Sequence, residues 1–307
     1  MEKLINWQEF EPLDEAARRV ALTAVGEMAV KETAVFQHTA DMLSYHNQLD
    51  ALIQLLQTAY AKVSTDKSAS EWQQQTITAQ LMDTLIFQFL GSDAANSAAA
   101  PPELVAALQA LVPLEAEELN RYLAFLSGYT QYKWELAHLA EHAPQNMAAL
   151  MLEFLAFAHK EAGVAYGRSN LVRQLLPTYF VERRTGQLNP RQDIGDLMRL
   201  GRPFARPKPS PHPLAPDSDT LARFLAKLLN YDPIRPYPAA ALFTLMPTWL
   251  RFLQARSLLK PDEANATLAD LASLKDDLLA FFASFAGDEG LATAVAHWSD
   301  AQRPSNT

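Results

Sequence analysis

Cysteine is absent from the 307-residue chain, and with it go disulfide frames, thiolate nucleophiles and zinc sites built on sulfur. Glycine is scarce, at 10 residues about half the usual share, which leaves little material for loops that wrap backbone around phosphates. Valine and isoleucine together number 17, too few for a sheet of any size. Basic residues are outnumbered, 26 Lys and Arg against 35 Asp and Glu, so the formal charge is −9. Such a chain repels a phosphate backbone, and no nucleic-acid partner is expected. Long apolar runs are missing too. The longest, Pro236 to Leu250, has 15 residues and three prolines, short of the roughly 20 that span a bilayer. Glu2, Lys3 and Glu9 interrupt the N-terminal segment and exclude the apolar core of a signal peptide. These absences predict a cytoplasmic protein of bacterial type with no membrane association.

What the chain has is alanine and leucine. Fifty Ala and 46 Leu make about 31% of it, which predicts an all-α fold. From Asp14 to Val63 the apolar positions Met28, Val35, Met42, Leu49, Ile53, Leu56, Tyr60 and Val63 recur at helical spacing. One continuous helix there would be about 75 Å long, so a break is expected near Gly26. Further helices are predicted over 71–90, from Pro101–Pro102 to Leu111, over 115–141, and over 145–176 with a stop at Pro177. Four long helices with short connections predict an N-terminal antiparallel helical bundle over residues 1–182.

Residues 183–208 hold seven Lys or Arg and two Asp, a basic island of +5 in an acidic chain. From Pro203 to Pro216, six of fourteen residues are proline, predicting an extended stretch unable to pack a core. Residues 183–216 are therefore expected to be a basic Pro-rich linker or strap. A small C-terminal helical module is predicted over 217–307, with a kink at Pro247. Its stretch from Ser218 to Ala286, with YPAAALFTLMPTWLRFLQARSLL followed by LADLASLKDDLLAFF, resembles C-terminal helical regions of bacterial proteins. That likeness rests on apolar spacing and a proline, and it implies no activity.

Chemistry-bearing patterns are few. His138-Leu139-Ala140-Glu141-His142 matches H-x-x-E-H, in which two histidines one turn apart hold zinc and the glutamate serves as base. Stepping 100° per residue from Leu119 puts His138 and His142 at about 100° and 140°, off the apolar face, so a solvated polar face is the expectation and no metal site is assigned. A second set rides apolar stripes: Glu32 and His46 with Thr39 at seven-residue spacing, Asp83 on the second helix, and Glu161 and Arg168 on the fourth. Turned inward, Glu32, His46, Asp83, Glu161 and Arg168 would either pair as a buried network, Glu161 with Arg168 or with His46, or line a ligand pocket. Gly163 and Gly167 form G-x-x-x-G, which predicts close approach of a neighbouring helix. No P-loop, dinucleotide fingerprint or nucleophile elbow occurs. The expectation is a non-enzymatic interaction or scaffold protein with no cofactor, engaging a protein partner or associating with itself. The alternative is a helical-bundle enzyme or carrier that binds a metal or small molecule through the inward polar residues.

Overall fold

The computed structural model describes residues 6–92, 100–126, 134–135, 144–188, 194, 212–230, 234–285 and 287–298. These residues are all-α, with no strand among them. The chain divides into two compact units, residues 1–131 with 164–170 and residues 132–163 with 171–307. This division differs from the expected bundle at 1–182, because residues 144–163 and 171–188 pack with the C-terminal helices.

The first unit holds α1 (Trp7–Phe10), α2 (Glu15–Glu27), α3 (Thr33–Tyr45), α4 (Leu49–Thr65), α5 (Glu71–Leu90), α6 (Pro102–Gln109) and α7 (Ala116–Leu126). Local signals start α2 and α5. The Asp14 carboxylate accepts from Ala17 N at 2.8 Å, and Ser70 with Gln73 closes a reciprocal capping box. α4 packs against both α2 and α5 around Leu22, Val25, Leu55, Leu56 and Ala59.

The stretch from Asp14 to Val63 is three helices, not one long or two collinear ones. It turns at residues 28–32 and again at 46–48, where Asn47 has φ 53°. The first break falls where it is expected, just after Gly26, since α2 ends at Glu27. Gly26 lies inside α2, where an added Cβ would stand 2.6 Å from Thr58 Cβ, so its missing side chain lets α2 close on α4.

The second unit holds α8 (Pro144–Ala162), most of α9 (Tyr166–Thr185), α10 (Ser218–Asn230), α11 (Pro236–Thr244), α12 (Met246–Ala255), α13 (Pro261–Leu271), a 3₁₀ turn (Ala272–Leu274), α14 (Lys275–Ser284) and α15 (Glu289–Ala296). Gly163, at φ 63°, ends α8. Pro177 does not stop α9, which runs on to Thr185 while Tyr179 and Phe180 anchor its next turn in the core. The helical stretch is interrupted at Leu245, beside Pro247 as expected, and the proline sits in the first turn of α12, where its missing N–H costs nothing.

The core of this unit is aromatic: Trp249 touches Phe154, Phe252 and Phe180, with centroids 5.2 to 6.0 Å apart. The described end of the proline-rich stretch also packs. Leu214 and Ala215 are fully buried, against the expectation that this stretch cannot join a core. Among the described residues, no helix is long and apolar enough to cross a membrane.

Candidate functional site

The residues expected to turn inward do not converge. Glu32 is exposed at the N-cap of α3 and makes no side-chain capping bond, and Glu161 is exposed in the last turn of α8. Asp83 is half-buried and accepts from the Tyr122 hydroxyl at 3.4 Å. Only His46 and Arg168 meet, across Tyr45. The Arg168 guanidinium lies 4.2 Å from the Tyr45 ring centroid, and its Nε donates to the Tyr45 carbonyl at 3.2 Å. His46 meets the same ring edge-on and stacks on Trp7 at 3.6 Å.

The physical reason is phase. The stripe was reckoned on unbroken helices, whereas the turns at 28–32 and 46–48 and the break at Gly163 reset the angle between its members. Gly167 does serve the close approach expected of it: an added Cβ would lie 2.3 Å from the Ser44 carbonyl oxygen. His138 and His142 lie outside the described residues, and among the described ones no group of three His, Asp or Glu could hold a metal ion.

The charged groups that matter most were missed, and all lie in the second unit. Glu153, on α8, is 1% exposed, and one of its oxygens accepts from Trp134 Nε1 at 2.8 Å and from Arg256 Nε at 3.0 Å. Its only signal in the sequence is an acid inside the apolar run LMLEFLAF.

Arg183, on α9, reaches the described end of the proline-rich stretch. Its guanidinium donates to the carbonyls of His212 (3.0 Å), Pro213 (2.6 Å) and Ala215 (2.5 Å) and stands 3.7 Å from Asp217. Asp217 caps α10 through Thr220 N and takes the Thr220 hydroxyl at 2.8 Å. Since Thr220 spends its proton there, the Tyr179 hydroxyl donates to Thr220 Oγ1 at 2.8 Å. Burial, with the Asp217 charge nearby, pushes Tyr179 up to about 12, so it stays protonated.

His212 completes the network. Its Nδ1 accepts from Leu214 N (3.2 Å) and Ala215 N (3.1 Å), which requires Nε2 to carry the proton donated to the Leu258 carbonyl at 2.7 Å. Burial holds its pKa below the ordinary 6.5, helped by Arg183 and opposed by the Leu258 carbonyl and Glu263.

On its other side, α9 walls a half-open cleft of about 570 Å³ against α8. Met147, Met151, Pro177 and Val181 supply apolar lining, and Arg173, Gln174, Thr178, Glu182 and Gln187 the polar part. Val181 is 39% exposed, one of few large apolar side chains left open to water. Glu182, the carboxylate of the lining, is held by Lys227 at 2.6 Å. No protein-family model, curated protein or solved structure matches this chain.

Proposed function

We propose that the protein is a non-enzymatic, cytoplasmic interaction protein that docks an apolar helical segment of a protein partner in the cleft between α8 and α9. The cleft carries this reading. Its α9 wall presents Gln174, Pro177, Thr178 and Val181 at the three- and four-residue steps that receive an amphipathic helix. Its α8 side offers Met147 and Met151, whose unbranched, polarisable side chains adapt to different partners.

The fate of the polar groups supports it as well. Glu153 is committed to the Trp134 and Arg256 side chains, and Arg183, His212 and Asp217 to the chain's own backbone or to one another, so they hold structure rather than substrate. The formal charge of −9 disfavours nucleic acid as the partner.

A second reading, a carrier of a small amphipathic molecule, is favoured by the cleft volume, which falls in the range of about 300–1,000 Å³ typical of ligand pockets. The experiment is photo-crosslinking in the producing cell, with a benzoylphenylalanine at position 178 in the cleft and another at the exposed position 20 as control. A partner crosslinked at 178 alone, through a segment with apolar residues at helical spacing, is the expected result. The same segment as a synthetic peptide should bind the native protein and lose at least tenfold in affinity with Val181→Glu, about 1.4 kcal/mol. No peptide adduct at 178, together with a small molecule retained in native mass spectra, would establish the carrier instead.

A further inference from the structure

We infer that residues 212–216 form an acid-released latch on the second unit, held shut by neutral His212 and opened by its protonation. The segment His212-Pro213-Leu214-Ala215-Pro216 has no helix or strand to hold it. Side chains from elsewhere pin it. Arg183 takes three of its carbonyls, Trp249 Nε1 donates to a fourth, that of Leu214, at 2.9 Å, and Leu214 and Ala215 are buried beneath.

His212 joins the segment's own turn to the chain beyond α12. It does so in one protonation state. Nδ1 accepts two backbone N–H groups while Nε2–H donates to Leu258. A proton added at Nδ1 would face both N–H donors head-on, converting two bonds into two repulsions and leaving both amides buried without an acceptor.

The charges around the ring do not cancel this. Arg183, from α9, repels an imidazolium, and its guanidinium is fixed by the same carbonyls. Asp217, at the start of α10, is satisfied by Thr220 and lies beside Arg183. Glu263, on α13, favours the charged ring, but its carboxylate already accepts from Lys260 N at 3.1 Å. Opening removes the ring to water, where it takes the proton freely. One proton is bound per opening, so the open population rises by up to tenfold per pH unit through the acid window.

The absence of cysteine makes the test direct. Ala215→Cys places one thiol in the latch, at a position 1% exposed, and Ala241→Cys places one in α11, at a position 0% exposed, to report general unfolding. Each is labelled with 4,4′-dithiodipyridine between pH 7.5 and 5, with rates taken relative to the same chain in urea. The expected result is a 215 thiol protected at pH 7.5 and increasingly labelled toward pH 5, with the 241 thiol closed throughout. Adding His212→Asn, which keeps an acceptor at the Nδ1 position but cannot take a proton, should remove the pH dependence. Labelling at 215 independent of pH, unchanged by His212→Asn, or accompanied by opening at 241 would overturn the latch. Should Ala215→Cys prevent folding, nitrogen-15 spectra of the histidine rings in the unaltered chain decide. An Nε2–H tautomer titrating below 6.5 is required, and an Nδ1–H tautomer or a higher pKa overturns the proposal.

Discussion

In the first unit, Gly26 and Gly167 stand where a neighbour's atoms leave no room for a side chain, and Glu32 remains in water while His38 and Asp41 are buried on α3. In the second unit, the comparable tightness comes from polar groups taken out of water and paired: Glu153 under Arg256 and Trp134, and Arg183 with neutral His212 over the 212–216 segment. Close backbone approach tolerates loss of almost any polar group and no added volume. Buried polar networks behave in the opposite way, because each member removed leaves another unsatisfied.

The largest effect should come from breaking the buried pair of the second unit. Arg256→Met leaves the Glu153 carboxylate without its cation at 1% exposure, and urea unfolding should show a loss of about 3–5 kcal/mol. The first unit's Arg19→Met is the contrast. Its partner Glu15 is 89% exposed at the side chain, and no change in the same measurement is expected. Comparable losses from both substitutions would erase the distinction between the units.

Volume gives the next effect. Gly167→Ala forces a methyl group to 2.3 Å from the Ser44 carbonyl oxygen, and a destabilisation of about 1–3 kcal/mol is expected. At Gly163 the added methyl meets nothing, and only the φ of 63° is unfavourable, so Gly163→Ala should cost about 1 kcal/mol. Thermal melting of the two variants side by side separates steric from backbone cost.

Acid sharpens the comparison further, since among the described residues each unit carries one buried histidine. His38 in the first unit is held below the ordinary 6.5 by burial, with Asp41 opposing, and His212 in the second is lowered mainly by burial as well. A folded pKa below the unfolded one means the unfolded chain binds more protons. The stabilisation is therefore complete above about 6.5 and is lost as the pH falls through the window toward the folded values. Unfolding followed from pH 8 to 4.5 should show this slope, and His212→Asn should flatten it only in probes of the second unit. An unchanged slope there would remove His212 from the account.

The smallest effect should come from the exposed Trp72 of the first unit. Trp72→Ser, at a side chain 67% open to water, should leave stability within about 0.5 kcal/mol.

The helices were legible where a local rule starts them, as at Asp14, Ser70 and Pro102. They were misread where a proline had more than one use: Pro177 continues a helix because the residues after it are anchored in the core. The candidate site was largely illegible. Of the five inward residues expected from helical phase, only His46 and Arg168 come together, because phase is lost at every turn. Glu153 and His212 carry no periodic signal, since what makes each notable is a partner more than 40 residues away.

Composition by itself determined the class of this protein: with so much alanine and leucine and so few β-branched residues, intrahelical hydrogen bonding is the available way to satisfy the backbone. Local sequence also determined the helix starts at Asp14 and Ser70, because a capping side chain acts within three residues of itself. Tertiary structure decided which helices share a core, which charges are buried, and where the cleft between α8 and α9 opens. Those depend on the angles at Asn47 and Gly163 and on contacts such as Arg183 with Ala215, 32 positions apart, and a few degrees at one turn relocate every side chain beyond it.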